Sequence, residues 1–96
     1  MIVKIHKTQE GRKIIAICDK ELIGKRFEEG NLQLDLRSDF YKGKEKNEEE
    51  IKSLIEGDCI LNLVGKKSIK FGIKMGIIDS KGVVKIKNVP HAQAII

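Results

Sequence analysis

The chain has 96 residues, a formal net charge of +5 and 41% apolar residues, which fits one globular domain with a modest core. Its longest uninterrupted apolar run, residues 14–18, is far shorter than the roughly 20 residues that a membrane-spanning helix needs. The N-terminus is interrupted by charge and has no apolar signal core, so the sequence predicts a cytoplasmic protein that does not enter a membrane.

The first half of the chain predicts three strands. Residues 3–7 alternate apolar and polar side chains, whereas residues 13–18 are apolar on both faces, which is typical of an interior strand. Gly11 between them indicates a turn, so the two strands should form a hairpin. Residues 19–30 show no period and predict an ordered loop. Residues 31–37 alternate again and predict a third strand.

The second half predicts two helix–strand units. The first helix should begin at Asn47, with Glu50 three residues later as in a capping box. The mostly apolar residues 59–64 predict a strand. A second, amphipathic helix over residues 66–75 has Gly72 at the centre of its apolar face, where a missing side chain lets the helix approach the sheet.

The remainder of the chain predicts a last strand over residues 83–89, which Pro90 ends, followed by a short tail over residues 91–96. The predicted order is therefore β-β-β-α-β-α-β, in which both crossovers are long enough for parallel connections. The expected fold is a single α/β or α+β domain, residues 1–96, with two helices and a mixed sheet of about five strands.

Five peptides spread over the whole chain resemble one small archaeal family of unknown function. They are Cys18-Asp19-Lys20-Glu21-Leu22-Ile23-Gly24-Lys25, the following Phe27-Glu28-Glu29-Gly30, Asp39-Phe40-Tyr41-Lys42-Gly43, Asn62-Leu63-Val64-Gly65 and Val89-Pro90-His91-Ala92-Gln93. The resemblance implies a short protein without recognisable cofactor motifs, and it implies no particular activity.

The net positive charge is confined to the C-terminal part of the chain. Residues 58–96 contain seven lysines and two aspartates, whereas the acidic and basic residues of the first 57 positions balance. Lysines dominate one sector of the second helix, about 100° wide, and alternate along the last strand. The six residues are Lys66, Lys67, Lys70, Lys74, Lys85 and Lys87. Such a surface suits the phosphate backbone of RNA or a ribonucleoprotein; a solvated helix face is the alternative.

A second hypothesis places a small-ligand site or an enzyme at the ends of the strands. Cys18 and Asp19 end one predicted strand, Asn62 lies in another, and His91 and Gln93 follow the last. If these ends meet, Cys18 would be the nucleophile and His91 the base. A third hypothesis is a protein-interaction adaptor that uses the loops at residues 19–30 and 40–43; the sequence leaves the oligomeric state open.

Metal and nucleotide sites are not expected. The cysteines, Cys18 and Cys59, form no Cys-x-x-Cys pair, and in a reducing compartment both should be free and buried. With two histidines that also lack ligand spacing, we predict neither a metal nor a cofactor. Residues 64–68 resemble part of a P-loop but lack its first glycine. The start of the second helix, beside Lys66 and Lys67, could still accept a single phosphate.

The composition also has a thermophile-like bias. Isoleucine and lysine each occur sixteen times, and together they occupy a third of the chain. Charged surfaces rich in lysine are typical of proteins from hyperthermophiles, and an AT-rich genome is the alternative explanation of the bias.

Overall fold

The fold is built on a mixed sheet, described here for residues 1–96 from a computed structural model. In chain order the strands are β1 (Ile2–Lys7), β2 (Lys13–Cys18), β3 (Arg26–Glu29), β4 (Leu32–Asp35), β5 (Lys44–Glu45), β6 (Cys59–Val64), β7 (Val84–Ile86) and β8 (Val89–Ile95). The helices are α1 (Glu48–Leu54) and α2 (Lys66–Lys74). No helix has the length and apolar character needed to cross a membrane.

Six of the strands form the main sheet, in the order β5-β1-β2-β6-β8-β7, and β3 and β4 pair separately as a hairpin. The central strands β2 and β6 run parallel, with Lys13 opposite Cys59 and Cys18 opposite Val64, and every other neighbouring pair is antiparallel. The predicted fold class is confirmed: one α+β domain with two helices and a mixed sheet. The main sheet has six strands where about five were expected.

The apolar character of both faces of β2 and β6 reflects two separate cores. One face contributes Ile15, Ile17, Leu61 and Leu63 to a cluster with Phe71 of α2. The opposite face packs against the β3–β4 hairpin and the segment that follows it; its cluster contains Ala16, Cys18, Leu34, Leu36, Tyr41, Val64, Ile86 and Val89. The sheet is thus covered by helices on one side and by a hairpin on the other, which explains why its central strands show no polar face.

Helix α1 begins as its sequence predicted. The Asn47 side chain accepts a hydrogen bond of 2.8 Å from the Glu50 amide, and the Glu50 side chain accepts one of 3.1 Å from the Asn47 amide. At the other end, the Lys13 ammonium donates to the Leu54 carbonyl at 2.9 Å. Carboxylates at the start and a cation at the end both complement the helix dipole.

The C-terminal region departs from the sequence prediction. The strand predicted over residues 83–89 ends at Ile86, and the expected tail is strand β8, which lies between β6 and β7. Lys87 and Asn88 adopt φ values of 51° and 65° and form a two-residue hairpin turn that contains no glycine. Lys87 therefore belongs to a turn and does not share a strand face with Lys85. The Lys87 amide donates to Glu29 Oε1 at 3.0 Å, which ties this turn to β3.

The second crossover gives a parallel connection, as predicted, but the two strands that it joins are not neighbours. Strand β7 follows α2 and runs parallel to β6, but β8 is inserted between the two, so β6 pairs with an antiparallel neighbour. The predicted loop over residues 19–30 likewise contains a strand, β3. Its residues show no period because Phe27 alone is half-buried and the other three are exposed.

Gly72 allows α2 to lie close to the sheet, as its position on the apolar face predicted. A Cβ atom there would meet the side chains of Ile78 and Leu63 inside normal contact distance.

We expect Gly72→Ala to lower the free energy of unfolding by about 1–2 kcal/mol, because overpacking costs more than the gain in helix propensity. Urea unfolding measures this change. Gly82→Ala, whose added methyl meets no atom within 4 Å, is the control and should change stability by less than about 0.5 kcal/mol; equal effects would contradict the packing argument.

Candidate functional site

The start of α2 is held by a buried carboxylate from the end of β2. Asp19 Oδ2 accepts a hydrogen bond from the Lys67 amide at 3.0 Å, and Asp19 Oδ1 accepts from the Ser68 amide and the Ser68 hydroxyl, both at 2.8 Å. Asp19 is 2% exposed and Ser68 is fully buried. Because the carboxylate satisfies amides that a helix start leaves unpaired, it acts as a cap supplied from a distant part of the chain.

The same contact removes the phosphate site predicted at this helix start. Gly65 precedes α2 with a φ of 106°, and any Cβ atom there would collide with the Asp19 carboxylate. A phosphate on the Lys67 and Ser68 amides would have to displace Asp19, which already supplies the negative charge. The expectation of a single phosphate at this position is therefore wrong.

Cys18 and His91 lie in one row across the sheet but do not touch. Cys18 is opposite Val64, and Val64 is opposite His91, so a valine separates the thiol from the imidazole. Two strand spacings put their Cα atoms about 10 Å apart. Burial raises the pKa of the Cys18 thiol to about 12 and lowers the pKa of His91. At neutral pH this thiol is protonated, and its only hydrogen bond is to the Asp19 carbonyl at 3.4 Å.

Asn62 and Gln93 are direct partners across β6 and β8, two rows away from Val64 and His91. Asn62 is half-buried and Gln93 is exposed on the sheet face that carries Cys18. No side-chain hydrogen bond joins them to each other, to Cys18 or to His91. The strand ends thus bring the predicted residues to one region of the sheet without assembling a hydrogen-bonded group.

The aromatic residues of one of the two loops named in the adaptor hypothesis are packed within the protein. The Phe40 ring stacks on the His6 ring with centroids 4.5 Å apart and meets Tyr41 edge-on at 5.0 Å. His6 Nε2 also lies 3.0 Å from the Phe40 carbonyl oxygen. Gly43 passes so close to the Val3 carbonyl that no side chain would fit. These contacts fasten residues 39–43 to β1.

The predicted lysines converge on α2 and on the strand beside it. A groove of about 790 Å³ runs between α2 and β7. Lys66, Lys70 and Lys74 form one wall and Lys85 lines the other side, over Ile69, Ile73, Ser80, Val83 and Pro90. Lys67 faces a second groove on the α1 side of the helix, with Lys46. Lys87, in the β7–β8 turn, lines neither groove.

Most of these lysines have no acidic partner. Lys74 pairs with Glu48 at 3.1 Å, whereas Lys66, Lys67, Lys70, Lys85 and Lys87 take part in no ion pair. Sequence patterns missed one further lysine, Lys46, and its only signal is its place just before the cap of α1. They also missed the cap formed by Asp19, for which the one sequence signal is that Asp19 and Gly65 each follow an apolar strand.

Comparison with known proteins identifies a family and a fold. Residues 6–96 match the family described as "Protein of unknown function (DUF424)". The chain also matches the crystal structure of an uncharacterized conserved protein from Methanopyrus kandleri, with a TM-score of 0.82 and 22% identity over 99% of this chain and 90% of that one. No curated protein matches it. The chain belongs to the DUF424 family, which confirms the resemblance to an uncharacterised archaeal family.

Removal of the Asp19 carboxylate should destabilise the whole domain. We expect Asp19→Ala to lower the free energy of unfolding by about 2–3 kcal/mol, because the Lys67 and Ser68 amides lose a charged acceptor in a buried setting. Asp19→Asn keeps one carbonyl acceptor and should cost less. Urea unfolding measures both, with the exposed Glu21→Gln as the control. Equal stability of Asp19→Ala and Glu21→Gln would refute the capping role.

The Cys18 thiol should be unreactive in the native protein. With its pKa raised to about 12, thiolate becomes abundant only near that pH, and the side chain is fully buried. In a Cys59→Ala variant, which leaves one thiol, we expect iodoacetamide to react slowly at neutral pH and rapidly once urea unfolds the chain. Fast native alkylation that His91→Ala abolishes would instead support a Cys18–His91 catalytic pair.

Proposed function

We propose that the protein binds RNA, free or within a ribonucleoprotein, by contacting the phosphate backbone with its lysine face. The lysine face consists of Lys66, Lys67, Lys70, Lys74, Lys85 and Lys87. The observation that carries the proposal is that five of these six lysines lack an acidic partner, and four of the six line one groove between α2 and β7. Unpaired positive charge along a groove is what a phosphate backbone requires.

Four of the ten lysines outside this face form ion pairs. Lys20, Lys42, Lys46 and Lys52 each lie within ion-pair distance of a glutamate or aspartate. In the C-terminal region the acidic residues are Asp58 and Asp79, and the Asp79 side chain accepts a hydrogen bond from the Lys81 amide. Five of the six lysines of the face are unpaired, against six of the ten elsewhere, so the convergence of these lysines on α2 and β7 is what favours a functional surface over a uniformly solvated one.

The lysine face provides charge without base-specific recognition. A lysine ammonium is a point charge, whereas sequence readout depends mainly on forked or planar groups such as arginine and asparagine. The three arginines of the chain are Arg12, Arg26 and Arg37, and none of them lines the groove. We therefore expect binding that depends on backbone charge and tolerates changes in base sequence.

Charge reversal on α2 should abolish most of the RNA affinity. We expect the variant Lys66→Glu/Lys67→Glu/Lys70→Glu/Lys74→Glu to bind a labelled structured RNA at least tenfold more weakly. The slope of log K against log salt concentration should fall by about 3, because each phosphate contact contributes roughly 0.7–0.9. Fluorescence anisotropy over a series of salt concentrations measures both quantities, and circular dichroism checks that the variant is folded.

A matched control separates the lysine face from net charge. Lys4→Glu/Lys7→Glu/Lys25→Glu/Lys44→Glu changes the net charge by the same amount at exposed lysines that form no ion pair and lie outside both grooves of α2. This control should retain most of the affinity. Equal losses in the two variants, or no binding by the parent protein at low salt, would defeat the proposal.

Capture of partners from native lysate distinguishes RNA binding from an adaptor role. We expect bound material to be released by ribonuclease and to be absent when the α2 lysines are reversed. A protein that stays bound after ribonuclease treatment, and depends on residues 19–30 or 39–43, would support the adaptor hypothesis instead.

A further inference from the structure

We infer that the RNA partner is double-stranded, with α2 lying as a ridge along its minor groove and the lysines on the two flanks of the helix contacting phosphates of opposite strands. This inference rests on the proposed RNA binding and adds the form of the RNA to it. It follows from the shape of the surface around α2, from the division of the lysines between its flanks, and from the side chains that the surface lacks.

Helix α2 presents a single exposed stripe to solvent. Lys66, Lys67, Lys70, Ile73 and Lys74 are exposed, and the residues between them, Ser68, Ile69, Phe71 and Gly72, are buried. A groove follows each side of this stripe, one of about 790 Å³ toward β7 and one of about 490 Å³ toward α1. Four of the five residues on the ridge are lysines.

The lysines are divided between the two flanks. Of these two grooves, Lys66 and Lys85 line the one toward β7, and Lys46 and Lys67 line the one toward α1. Lys70 and Lys74 border both grooves, because they lie along the crest. One strand of phosphates would need a single row of cations, whereas a ridge inserted between two strands needs cations on both sides. The lysines around α2 lie on both sides of the helix, as contact with two strands requires.

The surface offers nothing on which unpaired bases would stack. Single-strand binding proteins place successive bases on aromatic side chains. Of the four aromatic residues here, Phe71 of α2 is 1% exposed and points into the core, and Phe27, Phe40 and Tyr41 belong to the cluster on the opposite face of the sheet. A lysine-rich ridge without aromatics suits a duplex whose bases remain stacked on one another.

The restricted exposure of α2 favours RNA over B-form DNA. To read the major groove of B-DNA, which is about 8.5 Å deep, a helix must enter it with much of its circumference free. Helix α2 exposes one stripe, and β7 on one side and the start of α1 on the other limit how far it can penetrate. The minor groove of A-form RNA is wide and shallow and is recognised by shape, so a helix with one exposed stripe can contact both of its edges.

Comparison of nucleic acids of one sequence tests the inference. In anisotropy titrations we expect the parent protein to bind an RNA duplex at least fivefold more tightly than either of its single strands or the corresponding DNA duplex. Equal or tighter binding to a single strand, or to the DNA duplex, would overturn the inference and leave RNA or nucleic-acid binding intact. Absence of binding to all of them would reject the proposed function as well.

Variants of each flank test the two-strand geometry. Lys66→Gln/Lys85→Gln and Lys46→Gln/Lys67→Gln remove the same charge from opposite sides, and each should weaken duplex binding at least threefold. If the α1-side pair has no effect while the β7-side pair has the full effect, a single row of phosphates is bound and the inference is wrong. Lys4→Gln/Lys7→Gln, away from both grooves, is the matched control and should bind as the parent does.

One acidic residue allows a test by gain of affinity. Glu48 lines the groove toward α1 and pairs with Lys74, so it opposes a phosphate on that flank. Glu48→Gln should raise duplex affinity about two- to fivefold at low salt. Glu49→Gln makes the same change of charge one residue away, outside both grooves, and should have little effect. Identical results for the two variants would argue against phosphate contact on the α1 flank.

Discussion

The hydrogen bonds between Asp19 and the first turn of α2 join the two halves of the chain. Asp19 directly follows β2, and α2 directly follows the neighbouring parallel strand β6, so the carboxylate lies at the edge where both strands end. Three donors satisfy it, and the absence of a side chain at Gly65 makes room for it. Because the contact is buried and charged, the start of α2 has one position relative to the sheet.

The packing beneath α2 then fixes which side of the helix faces solvent. Phe71 is buried against the central strands, and Gly72 brings the helix axis close to Leu63 and Ile78. With its beginning held by Asp19 and its inner face held by these contacts, the helix cannot rotate. The lysines at intervals of three and four residues are therefore presented together, opposite Lys85 of β7, and the groove between them follows from the fold.

Local patterns were enough to predict some of this structure, and long-range contacts explain the rest. The apolar faces of residues 13–18, the capping box at Asn47 and the stripe of α2 each depend on neighbours in sequence, and each prediction is confirmed. The turn at Lys87 and Asn88 contains no glycine, so β8 could not be separated from β7 by sequence alone. The lysines of α2 could be recognised from their helical spacing. The groove between α2 and α1 could not, because it depends on Lys46, which the packing of α1 brings near α2.

The charges of the two helices show that α2 is not optimised for helix stability. Helix α1 has three glutamates in its first turn, where they complement the dipole, but α2 has Lys66 and Lys67 there and no acidic residue. Lysines at a helix start cost about 0.3–1 kcal/mol each, and like charges four residues apart, as at Lys66, Lys70 and Lys74, cost roughly 0.2–0.5 kcal/mol per pair. The Asp19 carboxylate and the burial of Phe71 offset this cost. In the proposed RNA complex, the phosphates would offset the unfavourable charges that α2 carries.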